Sequence, residues 1–255
     1  MKLDSFLSDP IAIDRGIPRG SPLSVTLYLL YSFNLLMNSF LTLDDQEISL
    51  GFIDDVAHLI SGTTYQITLK RLLDNGKTSL DWGIRHGAIF DRKKAKFITF
   101  SHKKIVTPEP FLFGDQELKF KKEVKWLGSI LDQKLTFKKQ IEKAKVTFIS
   151  SYNQLARIIK VTYGINNQEA KQLVSEVIQA RALYSSLVWF TKRNKNSVSA
   201  FLETAHNKCV RLTTGFLKQT PIAFLKHVGV RKSLLDAHTR LAHNYIYRVW
   251  TLLLR

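Results

Sequence analysis

Three observations predict an α+β fold. The first 135 residues alternate short β-prone runs with helical ones, the residues beyond Thr136 read as long helices with few breakers, and 45% apolar with 11% aromatic side chains over 255 residues suffice for a buried core.

Each element has a local reason. Pro22 to Leu41 reads as a helix because Leu29, Phe33, Leu36 and Phe40 fall at helical spacing and Ser21-Pro22 supplies a cap followed by proline at the first helical position. Glu47 to Ile53 and Val56 to Ser61 are β-prone runs around Asp54-Asp55, which predicts a hairpin with a two-residue turn. Thr64 to Arg85 is helical in pattern, with Asn75-Gly76 a point of interruption, and Ala95 to Phe100 returns to strand character. Two β runs about Gly114-Asp115 and a third over Val124 to Leu131 predict a small antiparallel sheet. Helices follow at about 138–162, 167–190, 196–214, 221–228 and 231–253, and a domain boundary is expected near 136–138.

Composition removes several classes. The single cysteine, Cys209, excludes a disulfide scaffold and a cysteine-based zinc cluster, and makes a reducing, intracellular setting the default. No basic-then-apolar leader opens the chain, and the most apolar stretch, Pro22 to Met37, is shorter than the roughly 20 residues of a membrane helix. No membrane partner is expected.

The net charge of +17 is unevenly spread. Residues 1–91 hold 7 basic and 11 acidic side chains, residues 92–145 hold 15 and 6, and residues 146–255 hold 16 and 4. An acidic third joined to a basic two-thirds suits carboxylates for divalent cations beside lysines and arginines for phosphate.

Two segments carry chemistry. Gly16-Ile17-Pro18-Arg19-Gly20-Ser21-Pro22 combines close backbone approach with a helix start whose amides favour an anion. Gly51-Phe52-Ile53-Asp54-Asp55-Val56 sets two adjacent carboxylates in a tight reversal, the only way neighbouring strand residues share one metal zone. An acidic exposed turn is the plainer reading of the dipeptide alone. Trp126 reads as core, His58 as a strand residue rather than a ligand, and Leu183, Leu187, Val188, Phe201, Leu202 and Phe216 as helix-packing positions. The cluster Lys192-Arg193-Asn194-Lys195 with Lys208, Arg211 and Lys218 suits sequence-independent backbone contacts.

In order and spacing, the Gly-Pro loop, the following helix, the Asp-Asp hairpin, the helix ending near Trp82, the lysine-rich strand Lys93 to Phe100, which carries Lys94, and the hairpin at Trp126-Leu127-Gly128 resemble the palm of a reverse transcriptase. The resemblance is to non-LTR (LINE-type) retrotransposon enzymes, and the wording looks most like fungal members. It implies a truncated polymerase palm over 1–105, a β-hairpin junction over 106–137 and an α-helical thumb with its extension over 138–255.

The same resemblance implies an RNA-directed DNA polymerase. Asp54 and Asp55 would be metal ligands for two Mg²⁺ or Mn²⁺ ions, and Lys94 would neutralise or protonate the leaving pyrophosphate. Pro18, Arg19, Gly20, Ser21 and Phe52 would face the deoxynucleoside triphosphate and template, and Trp126, Leu127 and Gly128 would grip the primer. The implied partners are an RNA template, a DNA primer, their RNA–DNA duplex and an N-terminal fingers and palm segment. Arg19 stands where family members more often have Gln. No apolar strand ending in an aromatic-Asp turn precedes Gly16, so the chain is expected to be incomplete, inactive alone and prone to aggregate through its open palm face. The competing expectation is a non-catalytic nucleic-acid-binding remnant. Nuclear and cytoplasmic settings both suit these readings.

Overall fold

A computed structural model describes residues 2–3, 6–7, 20–40, 47–101, 110–159, 164–228 and 233–253. The chain packs as two units, one of Met1–Ala95 with Pro110–Leu118 and the other of Lys96–Glu109 with Lys119–Arg255. Both mix short antiparallel strand pairs with helices, which is the expected α+β character.

In the first unit, β1 (Lys2–Leu3) pairs with β2 (Phe6–Leu7), α1 spans Pro22–Phe40, and β3 (Glu47–Phe52) pairs with β4 (Asp55–Ile60). Helix α2 runs Tyr65–His86. Thr64 caps it by accepting the Ile67 amide at 3.4 Å, and Gly87 at φ 72° ends it. Asn75-Gly76 does not interrupt this helix. Gly76 is buried and its missing Cβ leaves room for the ring of Phe113 on β5 (Phe111–Phe113), which pairs with β6 (Gln116–Leu118).

The strand expected over Ala95–Phe100 is not formed as a ladder. Lys94 instead closes a 3-10 turn, Arg92–Lys94, capped by the Asp91 carboxylate at the Lys93 amide, 3.1 Å. Phe97, in the second unit, makes one parallel bridge to Phe120. Three local amides satisfied in the turn leave none for a strand partner at Lys94.

The second unit joins β7 (Glu123–Trp126) and β8 (Ser129–Asp132) to helices α3 (Lys138–Ile158), α4 (Asn167–Leu173), α5 (Ala180–Ala182), α6 (Ser186–Trp189), α7 (Lys195–Thr214), α8 (Ile222–Val228) and α9 (Leu234–Leu253). A π-helical stretch, Val174–Gln179, links α4 to α5. The expected helix over 167–190 therefore breaks at Leu183 to Ser185, where Ser185 turns to φ 52°.

That break redirects the packing. Trp189 is fully buried, its indole nitrogen donating to the Tyr184 carbonyl at 2.9 Å, while Leu187 and Val188, expected to pack helix on helix, stay 41% and 51% exposed. Leu183 and Leu202 are buried as expected, with Phe148, Ile178 and Val198. Burial pushes the Cys209 thiol up to about 12, which makes it an inert core group. Among the described residues no helix is long and apolar enough to cross a membrane.

Candidate functional site

The hairpin tip is built one residue earlier than the sequence suggested. Phe52 pairs with Asp55, so Ile53 and Asp54 form the turn and Asp55 opens β4. Ile53 holds φ 53°, a left-handed conformation that a β-branched residue adopts only under strain of roughly 1–3 kcal/mol. The reversal leaves both carboxylates exposed at one end of the hairpin.

Among the described residues neither aspartate has an ion-pair partner. The described ion pairs use Glu47, Asp91, Asp115, Glu123 and Glu142, not Asp54 or Asp55. Two exposed carboxylates supply the hard oxygen donors that Mg²⁺ or Mn²⁺ prefers. Among the described residues, no group of three or more His, Cys, Asp or Glu side chains is placed to hold a metal ion. The donor type fits such an ion, and the donor count is short of a full set.

Helix α1 backs the tip. A Cβ on Gly51 would stand 2.7 Å from Leu36 Cδ1, so glycine is what lets α1 approach β3 this closely. Burial, then the Asp54 charge, then Tyr31 lift the Tyr28 hydroxyl above its ordinary value, which sets Tyr28 within the electrostatic reach of Asp54. Tyr31 stacks edge-on against Trp82 at 5.2 Å between centroids and donates to the His86 carbonyl at 2.6 Å. Tyr28 escaped the sequence reading because it does not belong to the apolar stripe of α1.

Behind the hairpin, His58 is held by two serines. Ser79 Oγ donates to the Asn75 carbonyl at 3.0 Å and so accepts from His58 Nε2 at 2.9 Å, which leaves His58 Nδ1 to accept from Ser49 Oγ at 2.6 Å. His58 is thus a structural strand residue, as expected. Burial lowers its pKa, against a smaller opposing pull from Glu47. Since the unfolded chain takes up the proton near pH 6.5 and the folded one only lower, this unit's stability falls as pH drops below about 6.5. Urea unfolding at pH 7.5 and 5.5 should show that loss, and His58→Asn should flatten it.

The remaining predicted residues are dispersed. Gly20 takes φ 91° just before α1, and Ser21 lies at its start, its carbonyl accepting the Ser24 amide at 3.1 Å. Gly16, Pro18 and Arg19 lie outside the described residues. Phe52 is exposed beside the aspartates. Lys94 is exposed and paired with Asp91 at 3.4 Å. In the second unit, Leu127 and Gly128, at φ 44° and 79°, make a tight turn between β7 and β8. Trp126 precedes it with its indole nitrogen buried and unbonded.

The chain is similar to RNA-directed DNA polymerases of mobile elements. It is 27% identical over 138 residues to the RNA-directed DNA polymerase from mobile element jockey of Drosophila funebris, covering 53% of this chain and 15% of that protein. It is 23% identical over 235 residues to the probable RNA-directed DNA polymerase from transposon X-element of Drosophila melanogaster, covering 87% of this chain and 24% of the relative. The chain thus spans a quarter or less of the length of the curated relatives it matches. No family model matches it, and neither does any solved structure.

Proposed function

We propose that this chain is part of an RNA-directed DNA polymerase of a non-LTR retrotransposon, close to fungal members, comprising a partial palm, the primer-gripping hairpin and a helical thumb. The observation that carries the reading is the strained tip at Ile53, which presents Asp54 and Asp55 together and exposed inside an ordered set of motifs. The similarity to polymerases of mobile elements supports it independently.

In this reading Asp54 and Asp55 would hold divalent cations together with a further carboxylate. Such ions, when bound, supply the charge that activates a primer hydroxyl and stabilises departing pyrophosphate. Pro18 to Ser21 and Phe52 seat the nucleotide and template, Lys94 gives a proton or a charge to the pyrophosphate, and Trp126 to Gly128 hold the primer backbone. The basic helical unit follows the duplex through its phosphates.

The basic helical part, with 16 Lys and Arg against 4 Asp and Glu over residues 146–255, also suits a second reading, a nucleic-acid-binding remnant without catalysis. Primer extension on an RNA template with Mg²⁺ or Mn²⁺ separates the two. The chain by itself should extend a primer at trace level at most, and Asp54→Ala/Asp55→Ala should abolish the trace. Extension that survives both substitutions contradicts the role of the hairpin, and failure to bind RNA–DNA duplex at low salt contradicts both readings.

A further inference from the structure

The Leu127-Gly128 turn is held from the helical side. Tyr184 Oη donates to the Leu127 carbonyl at 2.8 Å, Lys143 Nζ donates to the neighbouring Gly128 carbonyl, and Ser129 Oγ bonds Ser185 Oγ at 2.6 Å. A Cβ on Gly128 would stand 3.2 Å from the Tyr184 ring, so the ring lies directly over the turn. Both carbonyls of the turn are thereby engaged, and what remains to meet a ligand are the side chains that engage them.

Those side chains have an unusual pairing of properties. Tyr184 is 55% exposed although its hydroxyl is fixed, so a broad aromatic face is offered in one orientation. A ring already immobilised loses little rotamer freedom when a base stacks on it. Trp126, the aromatic within the strand, has its indole nitrogen turned inward. Lys139 and Lys145 are paired with Glu123 and Glu142, whereas Lys143 has no carboxylate partner among the described residues and spends one of its three donors on Gly128. The Ser185 backbone at φ 52° is what brings Tyr184 back over the hairpin.

We propose that Tyr184 and Lys143 form a nucleotide contact at this turn, Tyr184 stacking on the terminal base of a primer strand and Lys143 meeting its phosphate. The proposal rests on the polymerase reading and extends it to two residues of the helical unit. An aromatic face with an adjacent unneutralised ammonium is the chemistry that takes a nucleotide irrespective of sequence.

The test uses the full chain and an RNA–DNA duplex carrying 5-iodo-2′-deoxyuridine at the primer 3′ end, irradiated and mapped by peptide mass spectrometry. The adduct is expected on Tyr184. Tyr184→Leu should weaken duplex binding roughly tenfold and abolish the adduct, while Tyr184→Phe, which keeps the face and loses only the Leu127 bond, should stay within about threefold. Lys143→Gln should lower the salt slope of binding by about one. A purely structural Tyr184 would lower the melting temperature without placing an adduct on its ring. An adduct on Trp126 or elsewhere, with Tyr184→Leu binding normally, overturns the proposal and leaves the polymerase reading standing. No salt-sensitive duplex binding by the wild-type chain overturns that reading, and the proposal with it.

Discussion

Trp189→Ala should unfold the helical unit at temperatures where the wild-type chain is stable. The side chain is fully buried among the residues that join α3, the π stretch and α7, and its indole nitrogen holds the Tyr184 carbonyl. Truncating a buried tryptophan costs about 3–5 kcal/mol, and the Tyr184 carbonyl loses its donor in addition. Against a total stability of about 5–15 kcal/mol, the loss should lower the melting temperature by about 10 °C or more. Leu187→Ala, two positions earlier and 41% exposed, should change it little. Thermal melts followed at 222 nm compare the two directly, and equal losses would place Trp189 outside the core.

Asp132→Ala should have the next largest effect, through the loop that launches α3. That helix has no side-chain cap of its own. Its N-cap residue, Phe137, sits at φ 57°, and Leu135 at φ 50° precedes it. Asp132 makes this conformation hold. Its Oδ1 accepts from the Lys134 amide at 3.1 Å, the Thr136 amide at 3.0 Å and Thr136 Oγ1 at 3.2 Å, and its Oδ2 accepts from the Phe137 amide at 2.6 Å. Removing a carboxylate that serves four donors should cost about 2–3 kcal/mol at neutral pH. Burial pushes the Asp132 carboxyl up, but the bonds from Thr136, Phe137 and Lys134 outweigh it and hold the group below its ordinary value. A depressed carboxylate contributes its full stability above about pH 4 and loses it as pH falls further. The gap between wild type and Asp132→Ala in urea should accordingly be wide at pH 7 and narrow towards pH 3; a gap independent of pH would remove the charge from the explanation.

Much of this was legible in the residues. Ser21-Pro22 and the apolar spacing marked α1, the β runs flanking Asp54-Asp55 marked one hairpin, and those about Gly114-Asp115 marked the next; the run over Val124 to Leu131, read as one strand of the same small sheet, instead folds back at Leu127-Gly128 into a separate strand pair. The turn was misplaced by one residue because Ile53, a poor turn former by local preference, takes the left-handed position that the register imposes. Lys94 was assigned to a strand because alternation cannot foresee that Asp91 will cap a 3-10 turn. The break at Leu183 to Ser185 was invisible for a related reason: no glycine or proline marks it, and Tyr184 and Ser185 there are bonded to the β7–β8 turn, far away in sequence. Tyr28, Tyr184 and Lys143 stand near the candidate residues through contacts distant in sequence, which spacing rules do not reach.

The most direct test of the central claim is Mn²⁺ binding by the full chain, followed by electron paramagnetic resonance of the free ion, beside Asp54→Asn, Asp55→Asn and the double variant. Saturable binding in the wild type, weakened in each single variant and lost in the double one, is the expected result. Equal Mn²⁺ uptake by wild type and double variant would show that the hairpin tip is an acidic turn and not part of a metal site.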